Sequence, residues 1–225
     1  MNDGAKRRAA EFAAEFVQDG QIVGLGTGST ASLAIERLAR RSAEGLRIRG
    51  VPTSQATENL ARELGIALVD INDIEKVDIT IDGADEVDPY LNMIKGGGGA
   101  LTREKLVAVA SERRVYVVDH TKLVSRLGES FRVPVEVLPF AWSISAREIR
   151  KLGCEAELRM RPGSPLLTDN GNYILDCRFG AILDATLLES SIKRIPGVLD
   201  SGLFVGLADI LIIGFEDFVE VRERG

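Results

Sequence analysis

Short apolar segments recur along the first half of this chain. Each runs into glycine, hydroxyl or acidic residues and then into a helix-like stretch, and this alternation narrows the fold more than any other feature. QIVGLG at 21–26 leads into Thr27-Gly28-Ser29-Thr30 and a helical pattern over about 30–41, with Leu33, Ile35 and Leu38 as apolar members. A strand at about 47–52 precedes a helix over 54–64, with Gly65 as its C-cap, and then the strand IALVD at 66–70. DITID at 78–82 opens onto Asp82-Gly83-Ala84-Asp85. Beyond four glycines a helix is expected from Ala100 to about Glu112, with Leu101, Leu106 and Val109 available to the core. VYVVD at 115–119 ends in Asp119-His120-Thr121-Lys122. Strands alternating with helices predict an α/β fold, an open Rossmann-like, mainly parallel sheet with helices on both faces. Ligands bind such sheets outside the carboxyl ends of the strands. The Thr27 loop, Asp82 and the Asp119–Lys122 segment each follow a predicted strand, so all three are expected on one edge.

The second half has a different rhythm. Strand 132–138, helix 141–152, strand 154–160, strand 173–179, helix 184–194 and strand 198–205 give the order β-α-β-β-α-β, a ferredoxin-like pattern. We expect residues 131–205 to form a smaller α+β domain, and residues 1–130 with 206–225 to form the Rossmann-like one. ADILIIGF at 208–215 is apolar enough to return to the main sheet. At the other end, AKRRAAEFAAEFV at 5–17 reads as an amphipathic helix, with Phe12, Phe16, Ala9, Ala13 and Val17 on its core face.

Composition excludes several classes. The formal net charge is −6 with no basic block, which argues against a nucleic-acid partner bound through a broad charged face. No apolar run reaches membrane-spanning length and the N-terminus lacks a signal-peptide core, so a cytoplasmic, membrane-free protein is expected. Cys154 and Cys177 have no metal-like spacing and read as small buried hydrophobes in a reducing compartment. A single histidine, His120, rules out a poly-histidine metal site.

Chemistry concentrates between Ile79 and Lys105. Asp82 and Asp85, then Lys95, then Gly96 to Gly99, then Glu104 lie within one short span. Four consecutive glycines form neither helix nor strand well. Their use is close approach of backbone N–H groups to an anionic or hydroxyl-rich ligand. The same holds for the glycine-and-hydroxyl turn Thr27, Gly28, Ser29 and Thr30, which fits neither the Rossmann fingerprint nor the P-loop. On residues alone, Glu104 is either a catalytic carboxylate or a solvated helix charge. Asp82 and Asp85 are either substrate ligands or turn formers, and Ser29 or Thr30 either binds an anion or caps a helix.

The motifs GLGTGST at 24–30, DGADEVD at 82–88, KGGGGALTREK at 95–105, PVEVLP at 134–139 and TDNGNYILD at 168–176 resemble ribose-5-phosphate isomerase type A, in the same order and over nearly the whole chain. The resemblance implies an aldose–ketose isomerase of the pentose phosphate pathway that uses no metal and no cofactor. It would interconvert ribose 5-phosphate and ribulose 5-phosphate as a homodimer or homotetramer. It also implies Glu104 as general base, with Asp82, Asp85 and Lys95 at the reacting end of the sugar. Thr27, Gly28, Ser29, Thr30, Gly83, Ala84, Gly96, Gly97, Gly98 and Lys122 would complete the substrate site. His120 departs from the family's commoner residue there and carries no implied role. The alternatives are a sugar-phosphate sensor and another enzyme on a related scaffold. The sensor would need a DNA-binding segment before the first strand, and the paired DGAD and KGGG motifs argue against the other enzyme.

Overall fold

A computed structural model describes residues 3–224. The chain divides into two compact units. One comprises the residues up to Ala84, Arg103–Lys122 and the residues from Leu207 on; the other comprises Asp85–Thr102 and Leu123–Gly206.

The first unit is built on a sheet whose strands run, edge to edge, Val219–Glu223, Ile210–Gly214, Ser111–Asp119, Val77–Gly83, Ile22–Leu25 and Arg49–Pro52. Every neighbouring pair is parallel except the outermost, where Val219–Glu223 turns back antiparallel to Ile210–Gly214. Parallel strands buried on both faces read as continuous apolar runs, and ILIIG at 210–214 is buried at every position. Against one face lie helices Asp3–Ala14 and Ser29–Ala43. Their Ala9, Ala13, Ile35 and Leu38 pack with Val23, Leu25, Ile79, Ile81, Val115 and Val117. Gly24 and Thr80 face the other way, where a Cβ on Gly24 would meet the side chains of Thr80 and Val107. Helix Leu101–Val109 therefore sits close against this face, with no side chain at Gly24 to hold it off.

The second unit carries an antiparallel sheet in the order Val198–Ser201, Val133–Val137, Tyr173–Arg178, Glu155–Leu158, with helices Trp142–Arg150 and Ala185–Lys193. In chain order those strands stand 4-1-3-2, the ferredoxin-like arrangement. Val133, Val135, Val137, Ala146, Ile149, Leu175, Cys177 and Ile192 form its core. A small sheet of Leu203–Phe204, Met93–Ile94 and Glu86–Val87 lies beside it in the chain path.

Several expectations need correction. Phe12 is an exposed residue that touches Phe16 edge-on rather than entering the core. The helix expected to Glu112 stops at Val109, and Leu106 and Val109 are 60% and 66% exposed. Its buried side chains include Leu101, Glu104, Val107 and Ala108, so a carboxylate occupies a position that periodicity gives to an apolar residue. The strand expected at 66–70 reduces to one bridge, Leu68 with Gly50, flanked by the Gly50 to Ala67 and Val69 to Gly50 hydrogen bonds. Pro52 ends the neighbouring strand and has no N–H with which to extend the ladder. The strand expected at 198–205 is two strands in two sheets, broken at Gly202. There the N–H donates to Pro134 O at 2.7 Å and the carbonyl accepts from Lys95 N–H at 2.8 Å. The edge strand Val219–Glu223 was not expected from the sequence. Its Val219 and Val221 alternate with charged residues in a short run after Phe218.

Arg114 and Asp209 tie the amino ends of two neighbouring strands. The Arg114 N–H and Nε both donate to Asp209 Oδ2 at 2.8 Å, Nη2 donates to Oδ1 at 2.7 Å, and the Asp209 N–H returns to Arg114 O at 3.0 Å. Burial pushes the Asp209 carboxyl up, but the hydrogen bonds and charge of Arg114 outweigh it and hold its pKa below the usual 3.8. A carboxyl lowered on folding stabilises the native state fully above its unfolded value and loses that contribution as pH falls through the folded one. Asp209→Asn is therefore expected to cost about 1 kcal/mol at pH 7 and a few degrees of Tm. The difference from the parent should shrink below about pH 4; thermal melts of both proteins from pH 7 to pH 3 check this.

Candidate active site

At the carboxyl edge of the first unit's sheet, three loops place the residues singled out in the sequence. Asp82 is the penultimate residue of strand Val77–Gly83 and is only 2% exposed. Burying a carboxylate is costly unless it is hydrogen-bonded, and its Oδ1 accepts from Thr27 N–H at 3.1 Å and Gly83 N–H at 2.7 Å. Gly26 makes this possible. Its N–H donates to Ile81 O at 3.0 Å, and a Cβ there would lie 2.6 Å from Asp82 Cα and closer still to the carboxyl.

Thr27 is turned inward. Its Oγ1 lies 2.7 Å from Thr53 Oγ1, 2.8 Å from Ser54 Oγ and 3.1 Å from Thr57 Oγ1. Thr53 donates in turn to Leu25 O, and Thr57 to Gly26 O, both at 2.9 Å. This hydroxyl cluster latches the loop and leaves the Thr27 side chain committed to structure. The next residue, Gly28, takes φ +109° as N-cap of helix Ser29–Ala43 and supplies no side-chain cap. First-turn N–H groups without a capping side chain are an anion-binding feature of a helix start. Thr30 lies beside Gly83, whose Cβ position is 3.8 Å from the Thr30 side chain.

Glu104 stands in the first turn of helix Leu101–Val109 and is 5% exposed. Tyr116, level with Asp82 on the neighbouring strand, is buried completely. Its phenol pKa is raised well above 10, first by burial and then by the negative charge of Asp82 and Glu104. Both carboxylates thus act on one phenol within this unit. At the end of strand Ser111–Asp119, Asp119 accepts from Thr121 N–H at 3.0 Å and from the Thr121 hydroxyl, with Lys6 Nζ 3.9 Å away. Burial raises the Asp119 pKa, but the Thr121 hydrogen bonds and the charges of Lys6 and Lys122 prevail and lower it. Lys122 closes the short turn His120–Lys122. His120 stacks on Phe215 at 5.3 Å, and Phe215 on Phe218 at 4.4 Å. His120 is thereby a packed neighbour of the lysine turn.

The second unit holds the other candidates. Asp85 N–H donates to Ile94 O and its Oδ2 accepts from Gly97 N–H, both at 2.8 Å. Next to it, buried Glu86 accepts from Gly128 N–H, Ser130 N–H, Ser130 Oγ and Phe131 N–H at 2.6–2.7 Å, which fixes the strand on which Asp85 stands. Lys95 is buried, with Nζ 5.5 Å from the centre of the Phe204 ring. Gly96 and Gly99 take φ of +100° and +85° and close a turn through Gly99 N–H to Gly96 O at 3.0 Å. Gly97 and Gly98 form the exposed tip of that turn. The predicted residues thus fall into two sets: Thr27, Gly28, Ser29, Thr30, Asp82, Gly83, Ala84, Glu104 and Lys122 in one unit; Asp85, Lys95, Gly96, Gly97 and Gly98 in the other. They meet in sequence at the Ala84–Asp85 peptide bond. Among the described residues, no group of three His, Cys, Asp or Glu side chains is arranged to hold a metal ion, and no helix is long and apolar enough to cross a membrane.

The model of the ribose 5-phosphate isomerase A (phosphoriboisomerase A) family matches residues 49–218, more than half of the chain. The chain belongs to the ribose 5-phosphate isomerase A family. It is 52% identical to the ribose-5-phosphate isomerase A of Thermomicrobium roseum over 98% of this chain and 94% of that one. Its fold matches the ribose 5-phosphate isomerase A structure from Methanocaldococcus jannaschii with a TM-score of 0.95 and 41% identity, over 99% and 100% of the two chains. A D-ribose-5-phosphate isomerase structure in complex with phospho-erythronic acid also matches at 0.95, with 40% identity and 98% coverage of each chain.

Within this isomerase A chain, four residues of interest escaped the sequence reading. Lys6 lies in a helix that reads as core, and only the approach of that helix to Asp119 gives it meaning. Tyr116 is one apolar-looking member of VYVVD. Glu86 and Arg159 are charges whose roles rest on distant backbone: the loop groups that Glu86 accepts from and the glycine-turn carbonyls that Arg159 holds are 42 to 63 positions away.

Gly26→Ala isolates the packing demand at Asp82. The added methyl must displace the carboxyl, so a destabilisation of about 1–3 kcal/mol is expected. A loss of turnover larger than that of Gly4→Ala is expected as well, since a Cβ at Gly4 meets nothing within 4 Å and its backbone is not in the left-handed region. Melting temperature and isomerase rate of both variants check it.

Proposed function

We propose that this chain interconverts ribose 5-phosphate and ribulose 5-phosphate through an enediolate, with Glu104 as the general base. The observation that carries the reading is a carboxylate 5% exposed in the first turn of a helix, sharing the electrostatic environment of one buried phenol with Asp82. Glu104 takes the proton from C2 of the open-chain aldose. The C2–H electron pair forms the C1–C2 double bond, and the carbonyl oxygen O1 takes up the negative charge. Glu104 then returns the proton to C1, while a proton passes from O2 to O1 and leaves the ketose. A positioned base of this kind contributes typically ~10²–10⁴-fold.

Lys95 and the N–H groups of the Gly96–Gly98 turn meet the charge that develops on oxygen, as preorganised donors do. Asp82 and Asp85 accept hydrogen bonds from sugar hydroxyls and assist ring opening by proton transfer. Both are carboxylates whose orientation is fixed by backbone N–H groups. The phosphate is held by the N–H groups at Ser29 and Thr30 together with Lys122 and Lys6. That set pairs a helix start with two cations near one buried acid. The chain acts as a homodimer or homotetramer in a reducing cytoplasm. Large apolar side chains left open on the single chain, Phe140 and Leu183 among them, and the free thiols Cys154 and Cys177 support this.

Glu104→Gln should lower kcat by at least ~10²-fold while leaving sugar-phosphate affinity within a few-fold; turnover close to the parent's would remove Glu104 from the reaction. The parent enzyme should keep its rate in EDTA. In deuterium oxide it should place solvent deuterium in the product, whereas complete retention of substrate hydrogen would indicate hydride shift. Phospho-erythronic acid should inhibit competitively and should still bind Glu104→Gln.

A further inference from the structure

One guanidinium holds two successive carbonyls of the glycine turn. Arg159 Nη1 donates to Gly96 O at 2.9 Å and to Gly97 O at 3.0 Å. On its other edges Nε donates to Asp176 Oδ2 at 2.9 Å and Nη2 donates to Asp176 Oδ1. Both side chains are mostly buried, at 14% and 21% exposed. The backbone of Arg159 is fixed as well. Its N–H donates to Ile174 O at 2.8 Å and its carbonyl accepts from Leu166 N–H at 2.9 Å.

The consequence follows from peptide geometry. A trans peptide is planar, with its C=O and N–H pointing in opposite directions. Holding Gly96 O toward Arg159 turns the N–H of Gly97 away from it, and that N–H is the donor to Asp85 Oδ2 at 2.8 Å. Holding Gly97 O turns the N–H of Gly98 away in the same sense. The Gly98 N–H, at the exposed tip of the turn, has no partner among the described residues. Gly99 N–H also holds Gly96 O from within the turn at 3.0 Å, but Gly97 O is held by Arg159, and a glycine pair without side chains otherwise samples many peptide orientations. Asp176 balances the charge of Arg159, so the contribution of the guanidinium is placement rather than field. Its planar fork serves four contacts at once, which a lysine ammonium cannot do.

We propose that Arg159, braced by Asp176, is a positioning residue of the isomerase. It sets the Gly96–Gly97 and Gly97–Gly98 peptide planes, so that Asp85 is held in place and the Gly98 N–H is aimed at the developing enediolate oxygen. This rests on the reading of the glycine turn given under the proposed function.

Arg159→Ala should lower kcat about 10- to 100-fold, short of the ~10²–10³-fold seen when an oxyanion donor is removed outright. KM should change less than about threefold, because the donor acts in the transition state. Arg159→Lys should recover some of the loss, and millimolar guanidinium ion should restore turnover to Arg159→Ala while leaving the parent unchanged. Should Arg159→Ala fail to fold by circular dichroism, Asp176→Asn serves in its place. It frees one edge of the guanidinium without removing a donor to the turn, and the same kcat-selective fall is expected. The proposal is overturned if folded Arg159→Ala keeps kcat within threefold of the parent, if its defect lies in KM alone, or if guanidinium restores nothing. It is overturned equally if Asp176→Asn, used as the substitute, leaves kcat unchanged. Glu104→Gln is assayed in parallel. If that variant is inactive and Arg159→Ala is not impaired, only the positioning role falls; if Glu104→Gln stays active, the base assignment falls whatever Arg159 does.

Discussion

A carboxylate buried at the end of a parallel strand is the constraint on which the first unit depends. Asp82 is almost wholly removed from water, and two backbone N–H groups, from Thr27 and Gly83, compensate that burial at one of its oxygens. Backbone donors can reach it only if the neighbouring loop comes within hydrogen-bond distance, and that requires Gly26 to lack a side chain. Gly24 has the matching role a layer below, where helix Leu101–Val109 packs against the sheet through Val107. That helix carries Glu104. Two glycines in one short strand segment therefore govern both the fixed acid and the approach of the catalytic candidate.

The second unit repeats the principle of a carboxylate holding backbone. Asp85 takes Gly97 N–H, and Glu86 gathers three backbone N–H groups and a hydroxyl. Glu136, fully buried in the central strand Val133–Val137, accepts from Thr168 Oγ1, Asn170 Nδ2 and Asn172 Nδ2 through one oxygen, at 2.8–3.1 Å. The TDNGN motif is thus explained by folding: its side chains are the donors that make a buried acid tolerable. A sequence motif of polar residues in a turn can mark such a hidden partner as readily as it marks a ligand site.

Much of the architecture was legible because periodicity is a local property. QIVGLG, DITID, VYVVD and ADILIIGF are apolar runs too short for helices, and each lies in a strand of the main sheet, the first three with the expected loop at the end. The β-α-β-β-α-β order likewise reads directly from alternating patterns. The failures share a cause. Leu106 and Val109 look like core, yet Glu104 and Lys105 are buried. The helix is oriented by what it must present and by the gap at Gly24, neither of which its own hydrophobic pattern records. The strand at 66–70 fails because pairing depends on what the neighbour offers, and the neighbour ends in proline. The contacts of the Thr27 hydroxyl are equally absent from any local pattern, because Thr53, Ser54 and Thr57 lie 26 to 30 positions on.

The sequence by itself determined the alternation of elements, the placing of glycines where backbone must come close, and the family to which the chain is similar. Each of these is carried by residue types at short spacing. Only the tertiary structure decided which groups hold which. Lys6 at Asp119, Tyr116 level with Asp82, Glu86 under the Gly128–Phe131 loop and Arg159 across the glycine turn all join positions far apart in the chain. The physical reason is that a charged side chain has little local preference. Its role is set by the few donors and acceptors that folding brings within hydrogen-bond reach, and no local pattern encodes that distance.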